Sequence, residues 1–316
     1  MVYRKDFALA NNNSEEKMDN IRFKGIMPAL ITPFDENGAI KSKAVNQLID
    51  WHLSEGVQGF YICGTTGEGP AISAESRMKM AEVSIGAVKG RGIIIDHIGA
   101  PDIHDALRLT RHASQIGAAA IASLPPAYFF KYTEDEVVEY YKTIAGETDL
   151  PVLVYATSMT SAANLPRFIG RLMEIPNVIG AKFSIRDYYE MRRVKEVNGG
   201  NINLINGPDE TLLCGLVMGA DGGIGSTYNI MPGWFVGLYK AFTDGDLKTA
   251  QEYQYRINRV ISVLLRYGVN GVVNSTKAAL GLMGYDVGHA VYPAKTYSNQ
   301  ELADLRNELE KLGIQF

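Results

Sequence analysis

Pro176-Asn-Val-Ile-Gly-Ala-Lys182-Phe-Ser184 is a short apolar run with one lysine near its C-terminal end. It is the sixth of eight such runs, at 25–32, 59–63, 92–98, 118–124, 151–155, 176–184, 201–206 and 219–226. Between them lie longer segments whose apolar residues recur at helical spacing, such as Val45, Leu48, Ile49 and Leu53, or Met78, Met80 and Ala81 after Ser73. Strands of a parallel sheet are buried on both faces and read as continuous apolar runs, so the alternation predicts repeated βα units. Eight repeats match an α/β fold of the closed (β/α)₈ TIM barrel type in number and length; a doubly wound open sheet is the alternative topology. Thr133 with Glu136, and Asp187 with Glu190, predict helix starts between the runs. A further helix is predicted from Pro208.

After Asp246 the pattern is entirely helical, over 247–267, 273–283 and 298–312, the last opened by a Ser298/Glu301 capping box. The division is therefore a polar N-terminal arm at 1–20, a barrel at 21–246 and a C-terminal helical subdomain at 247–316. The arm, with its Asn11-Asn-Asn-Ser-Glu-Glu-Lys17 stretch, offers nothing to bury.

Of 316 residues, 46% are hydrophobic and 21% charged, enough apolar material for a large core, and the formal net charge is -4. That balance lacks the basic field that holds nucleic acid or an anionic membrane, and neither partner is expected. No run reaches the roughly 18 apolar residues of a spanning helix, and the first residues carry no apolar signal core, so a soluble, cytoplasmic protein is expected. Cys63 and Cys214, far apart and in apolar contexts, are expected to be buried free thiols. His97 is the only histidine at a strand end, and no closely spaced ligand set accompanies it; no metal and no separate cofactor are expected.

In a barrel of this kind chemistry gathers at the C-terminal strand ends. Those ends carry Thr65 and Thr66 after the second run, Tyr128 after the fourth, Tyr155 on the fifth, Lys182 and Ser184 on the sixth, and Asp209, Glu210 and Ser226 after the seventh and eighth. A lysine in apolar surroundings loses solvation of its ammonium form, which favours the free amine that attacks a ketone. Against this, a lysine at a strand end can simply send its charge to water along an apolar stem. Asp209 and Glu210 could serve only a helix N-terminus. Gly64-Thr-Thr-Gly67, however, offers two hydroxyls and unobstructed backbone N–H groups, a cup for a carboxylate or phosphate oxygen. A carboxylate beside a ketone is a 2-keto acid, with Lys182 as Schiff-base former and Tyr155 as proton carrier.

Gly64-Thr-Thr-Gly-Glu68, Tyr155, Gly180-Ala-Lys182 and Gly219-Ala-Asp-Gly-Gly-Ile-Gly-Ser-Thr-Tyr-Asn-Ile-Met231 together resemble the superfamily of N-acetylneuraminate lyase and dihydrodipicolinate synthase. The resemblance runs from about Arg22 into the C-terminal helices. With Asn206-Gly-Pro-Asp-Glu210 it looks most like the lyase branch. It implies a pyruvate aldolase that cleaves sialic acid to N-acetylmannosamine and pyruvate. Lys182 would carry the imine, Thr65 and Thr66 the pyruvyl carboxylate, Tyr155 the proton, and Ser184, Gly207, Asp209, Glu210 and Ser226 the hydroxylated tail. It also implies a homotetramer built from dimers, in which Tyr128 reaches a neighbouring subunit's site. The synthase branch places an arginine five residues after the tyrosine, where this chain has Thr160. Two segments depart from the lyase pattern, Ala156-Thr-Ser-Met159 and Phe183-Ser-Ile-Arg186. Alternatives are an aldolase for a 2-keto-3-deoxy sugar acid, a non-catalytic keto-acid-binding barrel and a phosphosugar isomerase.

Overall fold

Short strands, each followed by a helix, arrange themselves around a common axis. In the computed structural model, which describes residues 23–126, 130–157, 160, 164–268, 271–291 and 293–316, the strands are β1 (Gly25–Pro28), β2 (Gly59–Ile62), β3 (Ile93–His97), β4 (Ala120–Ser123), β5 (Val152–Ala156), β6 (Val178–Phe183), β7 (Asn203–Asn206) and β8 (Gly222–Gly225). All pairs are parallel, in the order β1-β8-β7-β6-β5-β4-β3-β2. The ring is completed between β1 and β2 by Gln58 N–H to the Ile26 carbonyl (3.0 Å), Leu30 N–H to the Tyr61 carbonyl (2.9 Å) and a bridge from Ala29 to Tyr61. This is the (β/α)₈ barrel, and the open doubly wound sheet is set aside.

Two apolar layers result. Met27, Tyr61, Ile95, Ala122, Leu153, Tyr155, Ile205 and Ile224 fill the lumen. Ile26, Phe60, Ile62, Val154, Phe183 and Leu204 point outward against the surrounding helices. At the seam, β8 is built of Gly-Gly-Ile-Gly, and a Cβ on Gly222 would lie 2.2 Å from the Gly25 carbonyl oxygen. The strand is thin in side chains because its neighbours occupy their space.

Helix signals close in sequence act as expected. Thr133 and Ser298 each form a full capping box, with Glu136 and Glu301, and Asp187 caps its helix by accepting from Glu190 N–H at 2.9 Å. Val45, Leu48, Ile49, Met80 and Ala81 are buried, while Leu53 and Met78 are only half-buried at the helix flanks. The segment after Pro208 differs from expectation: it opens as a 3₁₀ turn, Asp209–Thr211, before the short helix Leu212–Val217. Cys63 is buried and free, but Cys214 is free and exposed, on the outer face of that short helix. The C-terminal part comprises Leu247–Tyr267, Val273–Leu282 and Asn299–Lys311, joined to the barrel through Leu264, Leu280 and Leu305 in the outer layer. The arm at 1–20 lies outside the described residues. Among those residues no helix is long and apolar enough to cross a membrane.

Candidate active site

The facing of Lys182 depends on one irregularity. Val152 pairs with Val178, but Leu153 pairs with Gly180, leaving Ile179 as an extra residue on β6. In uninterrupted register Tyr155 would stand opposite Ala181. The insertion instead places Lys182 opposite Tyr155, on the lumen side, because one residue more inverts the facing of everything after it. Gly180 permits this: a Cβ there would sit 1.9 Å from the Asn203 carbonyl oxygen on β7.

Lys182 is 5% exposed, with its Nζ 4.3 Å from the Tyr61 ring centroid and 4.2 Å from that of Tyr155. Two ring faces hold the amine in a place most of the chain's lysines never reach. The side chains of Thr65, Ser184 and Lys182 gather around the Tyr155 hydroxyl. Burial pushes its pKa up, yet the Lys182 charge and these polar neighbours outweigh burial and hold the phenol below its ordinary value. His97, at the end of β3, stands edge-on to Tyr155 with centroids 6.1 Å apart, and its Nε2 accepts from Leu124 N–H at 3.1 Å. Burial first, then the charges of Arg77 and Lys182, keep the imidazole neutral, well below its ordinary pKa. It buttresses the tyrosine without adding charge.

The loop after β2 is folded tightly. Glu68 N–H donates to the Thr65 carbonyl at 3.1 Å and Gly69 N–H to the Gly64 carbonyl at 3.0 Å, while Thr32 Oγ1 donates to the Gly67 carbonyl at 2.6 Å. Cys63 and Glu68, at φ 55° and 56°, bracket the threonines in the left-handed region. Such a conformation costs a non-glycine residue about 1 kcal/mol, so the surroundings must impose it. Thr66 is buried, and its Oγ1 lies 2.6 Å from Ser226 Oγ at the end of β8.

Asp209 is buried in its 3₁₀ turn and faces inward. Its Oδ1 accepts from Ser226 N–H at 3.2 Å, and its Oδ2 from Thr227 N–H at 2.6 Å and Thr227 Oγ1 at 2.7 Å. Burial raises its pKa to about 6 in spite of the Thr227 bonds, and Glu210 adds to the rise. Gly225 admits the carboxylate, since a Cβ there would lie 2.1 Å from Oδ1. Gly207 packs on Ser184, its own N–H donating to the Phe183 carbonyl at 2.8 Å. Glu210, by contrast, turns outward into an ion pair with Arg186, whose Nε lies 2.6 Å from Oε1 and whose side chain is 74% exposed. The backbone of this turn is held from the C-terminal part: Gln254 Nε2 donates to the Asp209 carbonyl at 3.2 Å and Asn258 Nδ2 to the Glu210 carbonyl at 3.0 Å.

Lys182, Tyr155, Thr65 and Ser184 thus form one polar cluster, and Thr66, Ser226 and Asp209 a second, joined by hydrogen bonds. Glu210 stands at the edge. Tyr128 lies outside the described residues. Tyr61, Thr227, Gln254 and Asn258 were not singled out from sequence. Alternation with Gly59 along β2 would have placed Tyr61 inward; the other three carry no local signal.

The dihydrodipicolinate synthetase family matches over residues 22–312. The N-acetylneuraminate lyase of Rhizobium meliloti (strain 1021) is 35% identical over 287 residues, covering 90% of this chain and 94% of the relative. That of Escherichia coli O1:K1 is 34% identical over 249 residues, covering 78% and 83%. Among solved structures, Proteus mirabilis N-acetylneuraminate lyase superposes with a TM-score of 0.87 at 30% identity, covering 93% of this chain and all of the other. A match across nearly the whole barrel and most of the C-terminal helices leaves one assignment: the chain belongs to the dihydrodipicolinate synthetase family.

Proposed function

We propose that this protein is a class I pyruvate aldolase, a carbon-carbon lyase that cleaves N-acetylneuraminate to N-acetylmannosamine and pyruvate. The observation that carries the reading is the Lys182 amine, buried between two tyrosine rings beside a phenol that Thr65 and Ser184 also adjoin. The free amine of Lys182 attacks C2 of the keto acid; a proton transfer and loss of water give the imine. Thr65 and Thr66 receive the adjacent carboxylate. Tyr155 takes the proton of the C4 hydroxyl, the C3–C4 bond breaks, and its electron pair passes into the protonated imine to give an enamine. Protonation at C3 and addition of water release pyruvate and the free amine. No cofactor takes part beyond the covalent imine itself.

Ser184, Gly207, Asp209, Glu210 and Ser226 are assigned to the hydroxylated tail, supported by their grouping at the ends of β6, β7 and β8. The synthase reaction is disfavoured, since Thr160 offers no cation for a second carboxylate. Its Oγ1 instead accepts from Thr157 N–H at 3.0 Å and closes a turn. The same reading includes a cytoplasmic homotetramer of paired dimers with Tyr128 at a shared site, and a barrel at 21–246 with a helical subdomain at 247–316. Light scattering of the purified chain tests the assembly.

Intact-protein mass after incubation with pyruvate and borohydride, beside Lys182→Ala, tests the chemistry. A reduced pyruvyl adduct on the wild type alone supports it, and no adduct on either protein would sink it. Arg186, paired with Glu210 at the edge of the site, supports one rival, an aldolase for a 2-keto-3-deoxy sugar acid whose different tail Arg186 would read. Comparing kcat/KM over a panel of such acids separates the two.

A further inference from the structure

The threonine loop and the C-terminal helices meet at a buried ion pair. Lys277, on Val273–Leu282, is 1% exposed, and its Nζ lies 2.5 Å from Glu68 Oε1. The same amine donates to the His289 carbonyl at 2.9 Å and lies 4.4 Å from the Phe34 ring centroid. Glu68 Oε2 accepts from Val291 N–H at 2.5 Å. Withdrawing two charges from water is costly, and such a pair is rarely a net gain over apolar packing. Its value is better sought in what it orients. Glu68 is the left-handed residue that ends the Thr65–Thr66 turn, and its own N–H closes that turn on the Thr65 carbonyl. Its side chain is gripped entirely from outside the barrel strands.

We propose that Lys277 is a positioning residue for the keto-acid end of the site: through Glu68 it holds the Thr65–Thr66 turn in place, so that helices outside the barrel set the affinity for the substrate carboxylate. The inference rests on Thr65 and Thr66 being the carboxylate cup. Lys182 and Tyr155 stand on strands and make no direct contact with the pair; Tyr155 meets only the far end of the turn, at Thr65. Losing it should therefore weaken pyruvate capture more than it slows the covalent step.

The test is borohydride trapping on the full chain at graded pyruvate, with melting temperature measured alongside, for Lys277→Met, Glu68→Gln and the double variant Glu68→Gln/Lys277→Met. In Lys277→Met the half-saturating pyruvate concentration rises roughly tenfold or more, since a stranded carboxylate two residues from Thr66 also repels the anion. Trapping at saturating pyruvate stays near wild type. The double variant strands no charge and recovers most of the melting temperature, yet keeps a raised half-saturation point. Wild-type half-saturation in the folded double variant and in Glu68→Gln would overturn the proposal, leaving the pair a purely structural device. Absence of trapping in the wild type is a different result: it removes the aldolase reading and this inference with it.

Discussion

The two ends of the site are built differently. At the keto-acid end, Lys182, Tyr155 and Tyr61 stand on adjacent or facing strands, nearly dry, and the geometry is set by strand register. At the tail end, Asp209, Glu210 and Arg186 stand on loops, and burial falls from Asp209 at 8% exposed to Arg186 at 74%. In the first, the amine and its two tyrosines cannot be re-aimed without moving a strand. The second can be re-aimed by changing one exposed side chain, which is how a barrel keeps one reaction while its substrates diversify.

If this contrast holds, variants should grade in effect from the lumen outward. Lys182→Ala should abolish the trapped adduct and lower turnover by roughly 10⁴-fold or more, read by mass and by pyruvate release. Retained turnover would break the contrast at its strongest point. Tyr155→Phe should still trap pyruvate but lose about 10²- to 10⁴-fold in kcat for cleavage, separating imine formation from carbon-carbon cleavage.

Asp209→Asn should cost roughly tenfold in kcat/KM for the full sugar acid. It should also flatten a rise in activity near pH 6, where the wild-type carboxylate ionises and begins to accept its Ser226 and Thr227 bonds fully. The stability sign is opposite. With the folded pKa raised from 3.8 to about 6, the group's contribution is fully present below 3.8 and is lost as pH rises to about 6. Melting curves of wild type and Asp209→Asn across that window check it. Arg186→Ala should have the smallest effect: a two- to tenfold or so change in preference between tails, with half-saturating pyruvate unchanged. An equal effect on pyruvate would show that the two ends are not separable.

The barrel was legible in the sequence because most strands, buried on both faces, read as short apolar runs, while β7, flanked by Asn203 and Asn206, and the glycine-built β8 were read from their place in the alternation. Helix starts at Thr133, Asp187 and Ser298 were legible because a cap is settled within four residues. The turn after Pro208 was not. Asp209 leaves the helical path to satisfy Ser226 and Thr227, residues of the next unit, so the 3₁₀ start reflects a contact no local pattern encodes. Cys214 misled for a related reason: its apolar neighbours Leu212, Leu213 and Leu216 face inward, while it falls on the other side of a six-residue helix. Lys182 and Tyr155 could be placed at strand ends, but the extra residue at Ile179 that turns them toward each other has no signature beyond Gly180. Glu68 was visible within its motif. Its partner Lys277, in the C-terminal part, was not.

The glycine seam bears on what this scaffold can become. β1 and β8 touch so closely that one methyl group on Gly222 would press on Gly25, and one on Gly225 would press on Asp209. A library that randomises the C-terminal strand ends in search of new aldehydes would meet this wall at Gly225, where any side chain must displace the Asp209 carboxylate. Selection, natural or in the laboratory, has freer passage at Arg186, whose side chain is largely in solvent.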